Sequence, residues 1–251
     1  MRRQEGLRLK KGIYTITENR ALTKNVFLMR LAGGTDAFTA PGQFVNIALD
    51  GLYLRRPISV CDVNENEITI IYKVVGEGTE KMSRMASGET LDLLTGLGNG
   101  FDTAVSGDRP VLIGGGVGVP PLFGLAKKLI AQGKTVSVVL GFNTAEEVFY
   151  ENEFRALGAD VAVTTVDGSA GTKGFATAAL SQIDYTYYYC CGPLPMLKAV
   201  YDAAATAGQL SFEERMGCGF GACMGCTCQT KTGHKRICKE GPVLTSEEVL
   251  W

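Results

Sequence analysis

The sequence has almost no net charge. Its 25 Lys and Arg residues against 26 Asp and Glu give a formal −1 over 251 residues, which leaves no general electrostatic grip on nucleic acid or an anionic membrane. It lacks a membrane span, because the longest uncharged candidate, VLIGGGVGVPPLFGLA, is broken by glycines and by Pro120 and Pro121. It lacks a recognisable leader: the opening MRRQEGLRLKKG is basic but runs into a strand-like stretch rather than an apolar core. Internal repeats and low-complexity segments are absent. These absences predict a cytoplasmic protein, and 45% apolar against 20% charged residues is an ordinary balance for one with a packed core.

Histidine is nearly absent, with His234 alone, whereas cysteine is abundant, with eight. In a cytoplasmic chain clustered cysteines point to metal or redox chemistry rather than to disulfides. Five of them fall between Cys218 and Cys238. The stretch MGCGFGACMGCTC admits a disulfide knot, a zinc site or an iron–sulfur cradle. Cys218, Cys223 and Cys226 have C-x4-C-x2-C spacing, with Cys238 after a longer gap, which is the plant-type [2Fe–2S] pattern. A zinc ribbon would present a second knuckle, and Cys238 stands alone. A Rieske centre needs two histidines. Glycines 217, 219, 221 and 225 let the backbone wrap closely around four thiolates. Zinc or free thiols remain the alternative, and Cys228 reads as a spare thiol.

The first hundred residues read as strands: GIYTITENR, NVFLMRL, QFVNIAL, EITIIYKVV and ETLDLLTGL lie between turn signals, with KMSRMAS a short helical candidate. Antiparallel strands in this number close into a small barrel. After SGDRP the pattern alternates strand and helix, as in a parallel α/β sheet: VLIG, PPLFGLAKKLIAQG, TVSVVLG, EVFYENEFRALG and VAVTTV, then GFATAALSQI, YTYYYC, PMLKAVYDAAATAG and QLSFEE. The predicted organisation is a barrel over 1–105, an α/β domain over 106–213 and a cysteine-rich tail over 214–251. The tail is too small to build its own core, so a metal is expected to staple it.

Four further segments carry chemistry. LRRPISV offers two arginines and, beyond Pro57, Ser59, a fork suited to a pyrophosphate, although a solvated strand end accounts for it equally. In YKVVGEGTEKM, Gly76 and Gly78 can expose backbone N–H groups and Thr79 can cap a helix facing phosphate. IGGGVGVPPL joins a strand to a helix as a phosphate-binding turn does, but Val119 replaces the third glycine of G-x-G-x-x-G, so the strict dinucleotide fingerprint fails. CCGPLPM ends the strand YTYYY at a sheet's carboxyl edge, where open α/β sheets bind ligands. The adjacent Cys190 and Cys191 are otherwise ordinary core residues, and Cys61 also reads as core.

Together these motifs resemble the ferredoxin–NADP reductase superfamily. RPIS is similar to its arginine-x-aromatic-serine flavin motif, with Ile58 in the aromatic place. GEGT is similar to its second FAD-phosphate loop, and GGGVGVPPL and CGPLPM to its two nicotinamide-dinucleotide segments. With LGNGF and ERMGCGFGACMGCTC…RICKEGPV, nearly the whole chain resembles the electron-transfer subunits of class 1B dihydroorotate dehydrogenases. The resemblance implies an FAD-binding barrel, an NAD domain and a [2Fe–2S] module. It implies FAD contacts at Arg56, Pro57, Ile58, Ser59, Ile71, Tyr72, Lys73, Gly78 and Thr79, NAD contacts at Gly114, Gly115, Gly116, Gly118, Cys191 and Gly192, and cluster ligands Cys218, Cys223, Cys226 and Cys238. It implies an FMN-containing catalytic partner, two copies of each subunit, and no catalytic acid or base on this chain. Related small subunits of a sulfhydrogenase or a ferredoxin-linked transhydrogenase are the rival. The acidic run after TVSVVL, with no basic residue before Arg155, favours NAD over NADP.

Overall fold

The computed structural model describes residues 9–251. The basic opening, read above as no signal peptide, falls mostly at residues 1–8 and lies outside them. Six antiparallel strands, β1 (Lys10–Ala21), β2 (Val26–Ala32), β3 (Phe44–Ala48), β4 (Arg56–Val63), β5 (Glu67–Lys73) and β6 (Thr90–Leu97), close a barrel in the order β1-β2-β5-β4-β3-β6. Alternation dictates the inside: Tyr14 and Ile16 are buried while Thr15 and Thr17 between and beside them face solvent. Closure leaves no free sheet edge. β4 contains RPIS, whose solvated-strand-end alternative the structure bears out in part, and within it Pro57 cannot donate to a ladder. It is tolerated because β5 pairs with β4 only from Val60 onward, whereas Pro57 stands opposite Asn46 of β3.

A short helix, α1 (Glu77–Ser83), links β5 to β6. Beyond the barrel the chain runs β7 (Pro110–Gly115), α2 (Pro120–Ala131), β8 (Ser137–Phe142), α3 (Glu151–Ala156), β9 (Asp160–Thr165), β10 (Thr172–Lys173), α4 (Ala176–Leu180), β11 (Tyr187–Cys191), α5 (Leu194–Ala203) and β12 (Gly208–Ser211). The tail contributes a hairpin, β13 (Thr227–Thr230) and β14 (Gly233–Arg236), and a last strand, β15 (Val243–Thr245). The sheet order is β10-β9-β8-β7-β11-β12-β15, parallel throughout except where β15 pairs with β12. The order reverses beside β7, so the loops after β7 and β11 flank the switch point where such sheets bind ligands.

Two apolar clusters weld the parts together. Leu122, Leu125, Ala126 and Leu129 of α2 pack with Val26, Leu28, Cys61 and Ile71 of the barrel wall. Ile237, Leu244 and Val249 of the tail pack with Phe44 and Leu97 of the barrel and with Val111 and Tyr188 of the sheet. The tail therefore does have a core to join, which corrects the expectation that only a metal could hold it.

Candidate functional site

The barrel brings RPIS and GEGT together. Arg56, Pro57, Ile58 and Ser59 are all half-buried at the start of β4. A Cβ on Gly78 would stand 2.3 Å from Arg56 Nε, so any other residue there would push that guanidinium aside. The two arginines separate in role. Arg55 donates to the Asn46 and Asp92 carbonyls and, at 2.9 Å, to the Asp92 carboxylate, which ties β4 to β3 and β6. Among the described residues Arg56 donates to the nearby Leu54 carbonyl alone, which leaves most of its donors for an anion. The arginine fork is thus one arginine, not two. Thr79 is not the N-cap: it is the third residue of α1, where its hydroxyl accepts from the N–H groups of Val75 (3.0 Å) and Gly76 (3.3 Å). Ile71 and Tyr72 are buried, with Tyr72 Oη donating to Asn19, and Lys73 ends β5 half-buried.

The sheet brings the other two segments together. Gly114 pairs with Cys191 across β7 and β11. A Cβ on Gly118 would stand 2.2 Å from the Cys191 carbonyl oxygen, and one on Gly192 or Gly115 would strike Met196. Gly116, at φ +52°, opens the turn with free space where a Cβ would be. The glycine-rich loop and CGP form one cradle with backbone on both sides, which suits a flat dinucleotide. Burial pushes the Cys191 thiol up to about 12, against hydrogen bonding with Ser211, so it stays protonated at neutral pH.

In the tail, Gly219 (φ +79°), Gly221 (φ +89°) and Met224 (φ +62°) turn the loop around its cysteines. Ala222 and Cys223 direct their N–H groups at Cys218 Sγ, 3.2 and 3.4 Å away, and Cys238 N–H points at Cys226 Sγ at 3.4 Å. Burial opposes ionisation of Cys218, but N–H groups of Phe220, Cys223 and Ala222 outweigh it and bring the thiol down to about 6. Burial, reinforced by Cys226, pushes Cys238 up to about 12. Among the described residues no three His, Cys, Asp or Glu gather as for a single ion. Backbone N–H groups link the thiols instead in two pairs, Cys223 to Cys218 Sγ and Cys238 to Cys226 Sγ. That pairing fits a cluster whose two irons each take two thiolates. His234 is exposed on β14, and Cys228 lies on β13 opposite Lys235.

Residues 213–250 match the model of the iron–sulfur cluster binding domain of dihydroorotate dehydrogenase B, and residues 112–202 match the oxidoreductase NAD-binding domain. The electron transfer subunit of dihydroorotate dehydrogenase B (NAD(+)) from Geobacillus sp. (strain WCH70) is 44% identical over 96% of this chain and 99% of its own length. The one from Fusobacterium nucleatum is 42% identical over 94% and 96%. The chain belongs to this electron transfer subunit family. The architecture is shared with a solved NADH-dependent reduced ferredoxin-NADP oxidoreductase, at TM-score 0.87 and 29% identity over 96% of this chain and 90% of that one. It is shared as fold alone with a ferredoxin NADP+ reductase from Neisseria gonorrhoeae, at TM-score 0.67 and 16% identity over 77% and 90%. Among the described residues no helix is long and apolar enough to cross a membrane.

One residue that fixes the subunit's tail against its barrel, and one that braces the tail internally, have roles that the sequence does not mark. Asn99, in LGNGF, donates to the Glu240 and Val243 carbonyls at 3.1 and 2.7 Å and accepts from Val243 N–H. Arg236 pairs with Glu240 and donates to the Gly221 carbonyl at 2.6 Å, bracing the cluster loop. The Asn99 contacts span more than a hundred residues, and Arg236 reaches back to Gly221 across a gap that no local pattern bridges.

Proposed function

We propose that this chain is the electron conduit of a dihydroorotate dehydrogenase B, passing electrons from the partner's dihydroorotate site to NAD+. Oxidation of dihydroorotate to orotate releases two electrons and two protons. NAD+ takes up both electrons and one proton as hydride, and the second proton goes to solvent. The partner carries FMN, and the working particle holds two copies of each subunit. FAD, when bound, exchanges electrons in pairs with NAD and singly with an iron–sulfur cluster, which a conduit between the two requires.

The residues divide the work. Residues 1–105 form the flavin barrel: Arg56 and the N–H groups around Gly78 and Thr79 hold the pyrophosphate, while Pro57, Ile58 and Ser59, with Ile71, Tyr72 and Lys73, line the flavin. Residues 106–213 hold NAD: Gly114, Gly115, Gly116, Gly118 and Gly192 admit the dinucleotide, and Cys191 faces the nicotinamide as a neutral thiol. Residues 214–251 hold the [2Fe–2S] cluster on Cys218, Cys223, Cys226 and Cys238. Arg155, the first basic residue after β8, already pairs with Glu151 at 2.9 Å and with the Val161 carbonyl at 2.7 Å. It is therefore not free for a 2′-phosphate, which supports NAD over NADP.

The observation that carries this reading is the two N–H-linked cysteine pairs on a tail clamped between barrel and sheet, in a chain 44% identical to its named relative. A ferredoxin-linked transhydrogenase role is the second reading, supported by the fold of a relative that is only 29% identical. The test is an anaerobic NADH titration of the purified chain, with absorbance, paramagnetic resonance, iron, sulfide and flavin read on one sample. Flavin bleaching with a reduced [2Fe–2S] signal is expected. Zinc without flavin, or a cluster that NADH cannot reduce, would overturn the reading. NADPH as effective as NADH would overturn the NAD assignment alone.

A further inference from the structure

Asn46 lies in the middle of β3 with 1% of its surface exposed. Its neighbours Val45 and Ile47 point into the barrel interior, so Asn46 points out, on the side where Phe44 packs against Cys226 and Cys238. Its Nδ2 donates to the Cys218 carbonyl at 3.2 Å, across 172 residues of sequence. A carbonyl only accepts, so this contact fixes which end of the amide faces the loop. A Cβ on Gly219 would stand 2.3 Å from the same Nδ2. Across the β3–β4 ladder Asn46 stands opposite Pro57. Its Oδ1 is buried and has no hydrogen-bond partner among the described residues. A buried unpaired acceptor is unfavourable, and an apolar side chain would serve packing alone better.

We propose that Asn46 is a positioning residue for electron transfer between flavin and cluster, holding the Cys218 end of the cluster loop on the barrel strand that neighbours RPIS. The inference rests on the conduit reading above. The Asn46 bond fixes the Cys218–Gly219 peptide, and the turn that follows directs the Ala222 and Cys223 N–H groups at Cys218 Sγ. Releasing that peptide loosens both the spacing between the two centres and the hydrogen bonds that tune the cluster. Hydride transfer from NADH, at the cradle between β7 and β11, should not depend on it.

The test uses the full chain and two variants, Asn46→Ala and the isosteric Asn46→Asp, which cannot donate when ionised. Stopped-flow absorbance separates flavin reduction by NADH from the later reduction of the cluster. Redox titration and paramagnetic resonance read the cluster itself. Both variants should keep flavin content and the NADH-to-flavin rate. Both should slow the flavin-to-cluster step by about tenfold or more and alter the cluster's resonance lineshape and midpoint potential. Loss of iron with flavin retained counts as support, since it is the same latch failing further. Wild-type rate, lineshape and potential in both variants would overturn the proposal. So would loss of flavin together with iron in both, which would make Asn46 a packing residue of the barrel. A wild-type chain that holds no [2Fe–2S] cluster would instead sink the functional reading, so the two failures are distinguishable.

Discussion

At the scale of single residues, the cradle between the glycine-rich loop and CGP is set by contacts that leave no room for a methyl group. Gly118 has an ordinary negative-φ backbone, so its need for glycine is steric: the Cys191 carbonyl occupies the place of a Cβ. Gly118→Ala should therefore push the two loops apart, costing about 1–3 kcal/mol of stability by overpacking. It should raise KM for NADH more than it lowers kcat, as steady-state kinetics would read. Cys191 is a different case. Its thiol, held up near 12 by burial, keeps its proton across the neutral range. Cys191→Ala should slow flavin reduction by NADH about tenfold by loosening the nicotinamide's placement. Wild type should show no thiol ionisation in the pH profile of that step. An unchanged rate in Cys191→Ala would remove Cys191 from the site.

At the scale of elements, β4 shows how an apparent binding motif doubles as structure. Asp92 on β6 holds Arg55 at 2.9 Å and Lys11 at 2.9 Å. Burial would raise the Asp92 carboxyl, but Lys11 and Arg55 more than offset it and hold it below the usual aspartate range. A depressed folded value means that the stabilisation is present above the unfolded aspartate value and is lost as pH falls through the folded one. Asp92→Asn should cost about 1–2 kcal/mol at neutral pH, and should flatten the acid side of the stability profile, read by thermal unfolding. The sequence made the strands of the barrel and the alternation of the sheet legible, because period and turn residues are local. It made the cysteine spacing legible for the same reason. It could not separate Arg55 from Arg56, since only the neighbour across the sheet decides which one is consumed. Nor could it show Asn46 on Cys218 or Asn99 on Glu240, contacts that span 172 and 141 residues. The full length of β4 was not legible, because a proline within a strand is acceptable only where one side is unpaired, and only the neighbouring strands show that.

At the scale of the whole molecule, the tail decides how cofactor loading relates to folding. A cysteine-rich segment of this size reads as metal-dependent, yet its second half is bonded on three sides without any metal. β15 pairs with β12, Asn99 holds Gly241 and Val243, and Ile237, Leu244 and Val249 enter a core shared with barrel and sheet. The first half, from Met216 to Cys226, is held more sparsely among the described residues: by Asn46 and Arg236 and, at its two ends, by Met216 and Cys226 at the edge of the same core. Anaerobic removal of iron by a chelator should therefore leave the barrel, the sheet and β15 folded. Amide hydrogen exchange read by mass spectrometry should show lost protection over 216–226, a lesser loss over the β13–β14 hairpin, and little change over 241–249. Circular dichroism should change only slightly. Global unfolding on iron loss would mean that the cluster, not the shared core, holds the tail in place. A local response would mean that the fold presents a preformed loop to incoming iron, with Asn46 tying it to the barrel and Arg236 bracing it from within the tail.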